Sequence, residues 1–154
     1  MKTLLLTLLI YFCGTLLLFP NTWRPPERLL DALCQIESSG GRFVYGDEGR
    51  SLGHFQIQKS AWTDVVAWRK RNNLPTHDYA RHVFNPTVSR TYAADYLTIL
   101  YGRLKSRYQR EPVPAELYAA YNMGMTTFSK CNYDLARVNP TTRSKGKQIT
   151  LLLE

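Results

Sequence analysis

This chain is poor in the residues that build metal centres and disulfide frameworks. Its 154 residues include three cysteines and three histidines. His54 has neither a second histidine nor a ligand-spaced cysteine near it, so no metal site and no cofactor are expected, and His54 reads as a surface residue. There is no internal repeat and no low-complexity tract, which leaves one domain with one core at this length. Acidic residues are scarce as well. Twelve Asp and Glu face twenty Lys and Arg, a formal net charge of +8. That balance favours anionic partners. Helix-flanking groups such as Arg69-Lys70-Arg71 and the stretch from Arg103 to Arg110 read as solvated charge that complements helix dipoles.

Long apolar runs are missing except for one. Met1-Lys2-Thr3 precedes an almost unbroken apolar stretch from Leu4 to Phe19. A single positive residue before such a run reads as a secretory signal or a short membrane anchor. It falls slightly below the about 20 residues of a comfortable transmembrane helix. Phe19-Pro20-Asn21-Thr22-Trp23 offers no small-x-small cleavage site, which favours an uncleaved anchor. Residues 1–20 are therefore expected to be a signal peptide or membrane anchor. The chain is expected in the cell envelope, the periplasm, either tethered or secreted. Export sets nucleic acid aside as a partner and leaves anionic wall polymer or a membrane surface. Outside the run only Cys34 and Cys131 remain. An even count in an oxidising compartment predicts a Cys34–Cys131 disulfide; the other reading is two buried thiols behaving as small hydrophobes.

Residues 21–26, Pro-rich, read as a stiff extended linker, residues 27–138 as the domain and 139–154 as a basic tail that is either a docking strip or disordered. Leu29, Leu30, Leu33 and Ile36 recur at helical spacing over 27–37, and Gly40-Gly41 stops that helix. Val44-Tyr45 and Phe55-Gln56-Ile57 read as two short strands about the Gly46-Asp47-Glu48-Gly49 turn. Helical patterns follow at 59–72, with Ser60 as cap, at 87–110 and at 115–122, with a loop over 73–84. The domain is expected to be mainly α with a small β-ribbon, preceded by an N-terminal hydrophobic helix.

Three short words carry the chemistry: Ile36-Glu37-Ser38-Ser39-Gly40-Gly41, Gly53-His54-Phe55-Gln56-Ile57 and Ala119-Ala120-Tyr121-Asn122-Met123-Gly124. Glu37 ends an apolar helix. The partial negative charge of a helix C-terminus and apolar neighbours both oppose ionisation, which suits a general acid near neutral pH. Gln56, after a glycine turn, offers donors and an acceptor to sugar hydroxyls and acetamides. Tyr121-Asn122 place two polar tips at a helix end. Taken singly, each also reads as an ordinary structural residue: a frayed glutamate, a hairpin glutamine, a core tyrosine.

In this order and spacing the words resemble those of the soluble-lytic-transglycosylase family, whose domain is goose-type-lysozyme-like. Glu37-Ser38-Ser39-Gly40-Gly41 looks like the family's catalytic Glu-Ser-x-Gly word. Gly53 to Ile57 looks like its Gly-Leu-Met-Gln-Ile word, with His54-Phe55 in place of the common Leu-Met. Ala119 to Gly124 looks like Ala-Ala-Tyr-Asn-x-Gly, and Phe84-Asn85-Pro86 with Tyr96-Leu97 is similar to the stretch between. The resemblance covers roughly residues 28 to 130. It implies cleavage of the N-acetylmuramic acid to N-acetylglucosamine bond of peptidoglycan glycan strands with Glu37 as the only catalytic carboxyl, giving 1,6-anhydro ends. It implies Ser38, Phe55, Gln56, Tyr121 and Asn122 as substrate-binding positions, with Tyr121 the phenol near the acid. Asp47 departs from that pattern. A glutamate followed by an aspartate in this position is also similar to invertebrate-type lysozymes, where a second carboxylate makes a retaining hydrolase; the plain reading is a turn former, with Glu48 beside it exposed. A binding module that has lost turnover is the remaining reading. Any envelope-machine partner stays unassigned.

Overall fold

The computed structural model describes residues 23–154. The apolar run expected to anchor or export the chain lies outside the described residues. Among those described, no helix is long and apolar enough to cross a membrane. The chain is mainly helical with one small antiparallel sheet.

Helix α1 (Glu27–Ser38) starts where Pro26 presents its carbonyl to the amides of Leu29 and Leu30. It buries Leu29, Leu30, Ala32 and Leu33. The helix stops one residue before the glycines. Ser39 already adopts φ 53°, followed by Gly40 at 72° and Gly41 at 91°. Amides of Ser39 and Gly40 close back on the carbonyls of Gln35 and Cys34, which satisfies helix-end acceptors. Three left-handed residues in a row reverse the chain immediately after Glu37.

The sheet consists of β1 (Tyr45–Gly46), β2 (Ser51–Leu52) and β3 (Ile57–Gln58), in that order. Tyr45 pairs with Leu52, and Leu52 with Ile57. The sequence allowed a ribbon of two or three strands, and among the described residues three are present. Phe55-Gln56 is not a strand: the Gly53 to Gln56 segment is a turn closed by the Gln56 amide on the Gly53 carbonyl, with Gln56 at φ 47°. Gly53 is required there. Its φ is +77°, and a Cβ would stand 2.1 Å from the Val83 carbonyl oxygen.

Helix α2 (Lys59–Arg71) follows β3 directly, so Gln58 takes the N-cap position and the expected cap Ser60 falls inside the first turn. The stretch expected as a loop over 73–84 contains a short helix, α3 (Tyr79–His82), capped by Asp78 accepting from the Arg81 amide. Helix α4 (Pro86–Tyr108) is the central strut. Asn85 caps it by accepting from the amides of Thr87 and Val88. Helices α5 (Pro114–Met123), α6 (Met125–Lys130) and α7 (Pro140–Leu153) complete the fold. The last of these occupies the segment read as a basic tail. It is capped by Asn139 and packs against α5 and α1.

The expected linker is docked on the domain where it is described: Trp23 stacks on Tyr101 with ring centroids 4.1 Å apart. Arg24 binds Asp95 at 2.9 Å. Asp95 sits in the middle of α4, buried, and its other oxygen takes Arg69 of α2. Arg69 is therefore no solvated flank. Its side chain is 9% exposed, ion-paired, and donates to the Pro75 carbonyl as well. A buried charge is tolerated only when paired and hydrogen-bonded. The expected Cys34–Cys131 disulfide is not formed: both residues are half-buried free cysteines packed against the core.

Removing the acid from this buried pair strands a guanidinium. Asp95→Ala should lower unfolding stability by about 3–5 kcal/mol, read from urea midpoints at constant m-value; a loss below about 1 kcal/mol would place the pair among weak surface bridges.

Candidate active site

The end of α1, the sheet and the end of α5 meet around one cleft of about 190 Å³. Glu37, Asp47, Gln56, Tyr121 and Asn122 all line it. The three words thus converge in space. Phe55 and Ser38 do not reach the lining. Phe55 is buried in the core and Ser38 is 1% exposed. Ser38 is a staple: its hydroxyl donates to the His54 carbonyl at 2.6 Å and accepts from the Gly41 amide at 2.8 Å. It ties the end of the acid helix to the glycine turn of the second word. His54, expected at the surface, is half-buried and closes this joint, because a Cβ at Gly41 would stand 2.2 Å from its ring.

Glu37 is the buried carboxyl of the cleft, its side chain 7% exposed. Burial pushes its pKa above the usual carboxylate value. Two groups work against that rise, the Tyr118 hydroxyl first and the Lys145 ammonium second, while Asp47 adds to it. Tyr118 donates to Glu37 Oε1 at 2.5 Å. Lys145 Nζ lies 3.7 Å from the same oxygen. Neither residue belongs to the three words.

Tyr121, expected as the phenol near the acid, shares the cleft with Glu37 and feels its charge. Its hydroxyl donates to the Phe55 carbonyl at 2.7 Å, fixing the second word against α5, and the phenol that bonds the carboxyl is Tyr118. The physical reason is helical geometry. Tyr118 and Tyr121 are three residues apart on α5 and share a face, and the earlier one meets the end of α1. Burial raises the pKa of both phenols, so both remain donors at neutral pH.

Gln56 lines the cleft, yet its amide nitrogen is committed to the carbonyls of Gly53 at 2.8 Å and Phe43 at 3.1 Å. Its Oε1 points at Gly46, where a Cβ would stand 2.1 Å away. Asn122 is exposed at the cleft edge, and its Oδ1 accepts from Thr142 Oγ1 at 2.7 Å. Asp47 is exposed, has φ 47°, and accepts from the Ser51 hydroxyl at 2.6 Å. Asp47 lines the same cleft as Glu37. Glu48 is exposed, as expected. Among the described residues no cluster of His, Cys, Asp or Glu could hold a metal ion.

A family model, the transglycosylase SLT domain, matches residues 20–134. The chain belongs to the SLT transglycosylase family. Its mainly helical fold with a small sheet is the lysozyme-like fold of that domain. Membership sets the general chemistry as peptidoglycan processing of the lytic-transglycosylase type. No curated protein and no solved structure matches the chain. In this SLT domain the matched span holds Glu37, Gln56, Tyr118 and Tyr121, while Lys145 and Thr142 stand beyond it on α7.

Tyr118 stabilises the ionised form of Glu37, so its removal acts in a known direction. Tyr118→Phe should raise the Glu37 pKa by up to about one pH unit, the worth of one hydrogen bond to a carboxylate. Carboxyl carbon NMR across a pH titration reads this directly. An unmoved Glu37 resonance would detach Tyr118 from the acid.

Proposed function

We propose that this SLT domain cuts the glycosidic bond between N-acetylmuramic acid and N-acetylglucosamine with Glu37 as its single acid and base. The observation that carries the reading is a buried carboxyl with a raised pKa at the meeting point of the three words. A carboxyl whose ionisation is opposed by burial holds its proton more readily than a free glutamate and can give it to the leaving oxygen as the C1–O bond breaks. The resulting carboxylate then takes the proton of the muramic C6 hydroxyl while O6 closes on C1. Glu37 ends protonated again, a 1,6-anhydro ring has formed and no water is consumed. The exposed side chain of Asn122 at the cleft edge supplies a polar contact for the sugars, while Gln56 holds the wall in place. Ser38 and Phe55 act from behind the wall rather than on the sugar.

A second reading has one observation in its favour. Asp47 lines the same cleft and is near enough to disfavour ionisation of Glu37. A carboxylate so placed could stabilise or trap a glycosyl cation, which makes a retaining hydrolase. Family membership favours the first reading. We assign the apolar run at residues 4–19 to export or anchoring, which puts the domain against the wall in the periplasm.

Glu37→Gln should cost at least about 100-fold in release of soluble fragments from purified sacculi, the lower end for acid–base catalysis. Stability should move the other way. Because the Glu37 pKa is raised on folding, the folded chain holds its proton through a window that starts near 4.5. Stability therefore falls as pH rises through that window. Glu37→Gln is accordingly expected to be more stable than the parent at neutral pH, with the difference fading below about pH 4.5. An inactive variant that is also less stable would point to misfolding rather than a lost proton.

Asp47→Asn should keep most activity, and mass spectrometry should find products lighter by one water than hydrolysis products. Reducing-end products together with a loss of several orders of magnitude in Asp47→Asn would establish the hydrolase instead.

A further inference from the structure

Helix α7 lies beyond the span matched by the family model and does not line the cleft itself, yet two of its side chains touch residues that do. Thr142, Lys145, Gly146 and Ile149 recur at helical spacing and form its inner face. Thr142, Gly146 and Ile149 are buried. Gly146 lets the helix sit tight on α5: a Cβ there would stand 3.4 Å from both the Cβ and the carbonyl oxygen of Ala115. This close approach brings two polar side chains to the site. Thr142 binds Asn122 at 2.7 Å, and Lys145 reaches Glu37 at 3.7 Å.

We propose that Lys145, held by α7 against the end of α1, is a positioning residue for Glu37. Its ammonium steadies the carboxylate that forms once the proton has passed to the leaving oxygen. The inference rests on Glu37 being the acid.

The geometry suits that task. Glu37 is nearly dry, whereas the Lys145 side chain is 32% exposed. The cation keeps part of its hydration and so costs little to maintain, while its field acts on a carboxylate that has lost its own water. The ammonium and the Tyr118 hydroxyl converge on the same oxygen, Oε1. The charged and titratable groups around Glu37 are few. Tyr118 and Tyr121 face it from α5, Asp47 from the turn after β1, Lys145 from α7, and Cys34 lies one turn back on α1. Among these Lys145 is the cation, and it opposes both burial and the Asp47 charge. Without it, each turnover would have to create a carboxylate in a dry site beside another carboxylate.

The test uses the full chain carrying carbon-13 at glutamate carboxyls, with the Glu37 resonance assigned by its loss in Glu37→Gln. In Lys145→Met and in Lys145→Gln the Glu37 titration should move up by about one pH unit, the scale of one partly solvated charge at this distance. Lys145→Arg should hold it near the parent value. The alkaline limb of kcat/KM on sacculi should follow the same order, moving up in the Met and Gln variants and returning with Arg. A merely structural helix contact would lower both activity and stability and leave the titration in place. Folded Met and Gln variants with an unshifted Glu37 overturn the proposal. A parent chain that titrates as expected but releases nothing from sacculi would instead overturn the assignment of Glu37 as the acid.

Discussion

The structure turns on keeping one carboxyl away from water. A glutamate at the end of a helix already faces the negative end of the peptide dipoles. Burying it compounds the cost of its charge. The chain accepts this at Glu37 and surrounds the position with groups whose own geometry is fixed. Ser38 is pinned between the His54 carbonyl and the Gly41 amide. The Gln56 amide is pinned between Phe43 and Gly53. Tyr121 is pinned on the Phe55 carbonyl. Residues that looked like sugar-binding tips thus spend most of their hydrogen-bonding capacity holding the acid's surroundings still. Preorganisation of this kind is what lets a buried group act without rearrangement at each turnover.

The acid helix, the long strut α4 and the order of the three words were legible because each rests on a strong local signal. Apolar periodicity marked α1. Pro86 marked the start of α4, where proline fits the first turn; the Asn85 cap appears only in the structure. Glycines marked the turns. Tyr118 was not legible because the motif draws attention to Tyr121-Asn122, and a tyrosine among Leu117 and Ala119 looks like core. Its position three residues before Tyr121 on a helix was the available clue. Helix α7 was hidden for a different reason. Its buried face is built from Thr142, Gly146 and Ile149, which carry no apolar stripe, and close approach through a glycine leaves no hydrophobic signature. The ion pair between Arg69 and Asp95 joins residues 26 apart in sequence and could only appear once α2 lay across α4.

Of the two readings of Cys34 and Cys131, the structure has the small-hydrophobe one. Both side chains are partly buried and packed against the core, and each serves there as a small hydrophobe. Cys34 lies one turn before Ser38, its sulfur 3.9 Å from the Ser38 hydroxyl. That places a compact, weakly polar atom behind the staple that fixes the acid. A larger residue at position 34 would press on Ser38.

Charge around the acid is balanced rather than one-sided. The Tyr118 hydroxyl and the Lys145 ammonium favour the carboxylate, whereas burial and Asp47 favour the acid. Burial is the largest of these and decides the sign, so Glu37 rests protonated more readily than a free glutamate. In the proposed reaction the smaller opposing pair has its use in the second half of the cycle. A group that must first give a proton and then take one back needs both states within reach. Desolvation alone would make Glu37 a reluctant acid. A phenol and a cation on Oε1 lower the cost of the carboxylate without restoring the water that would quench it. The two come from different helices, α5 within the matched family span and α7 beyond it. The proton balance of the site therefore depends on how tightly those helices close on each other, which is where Gly146 against Ala115 acts.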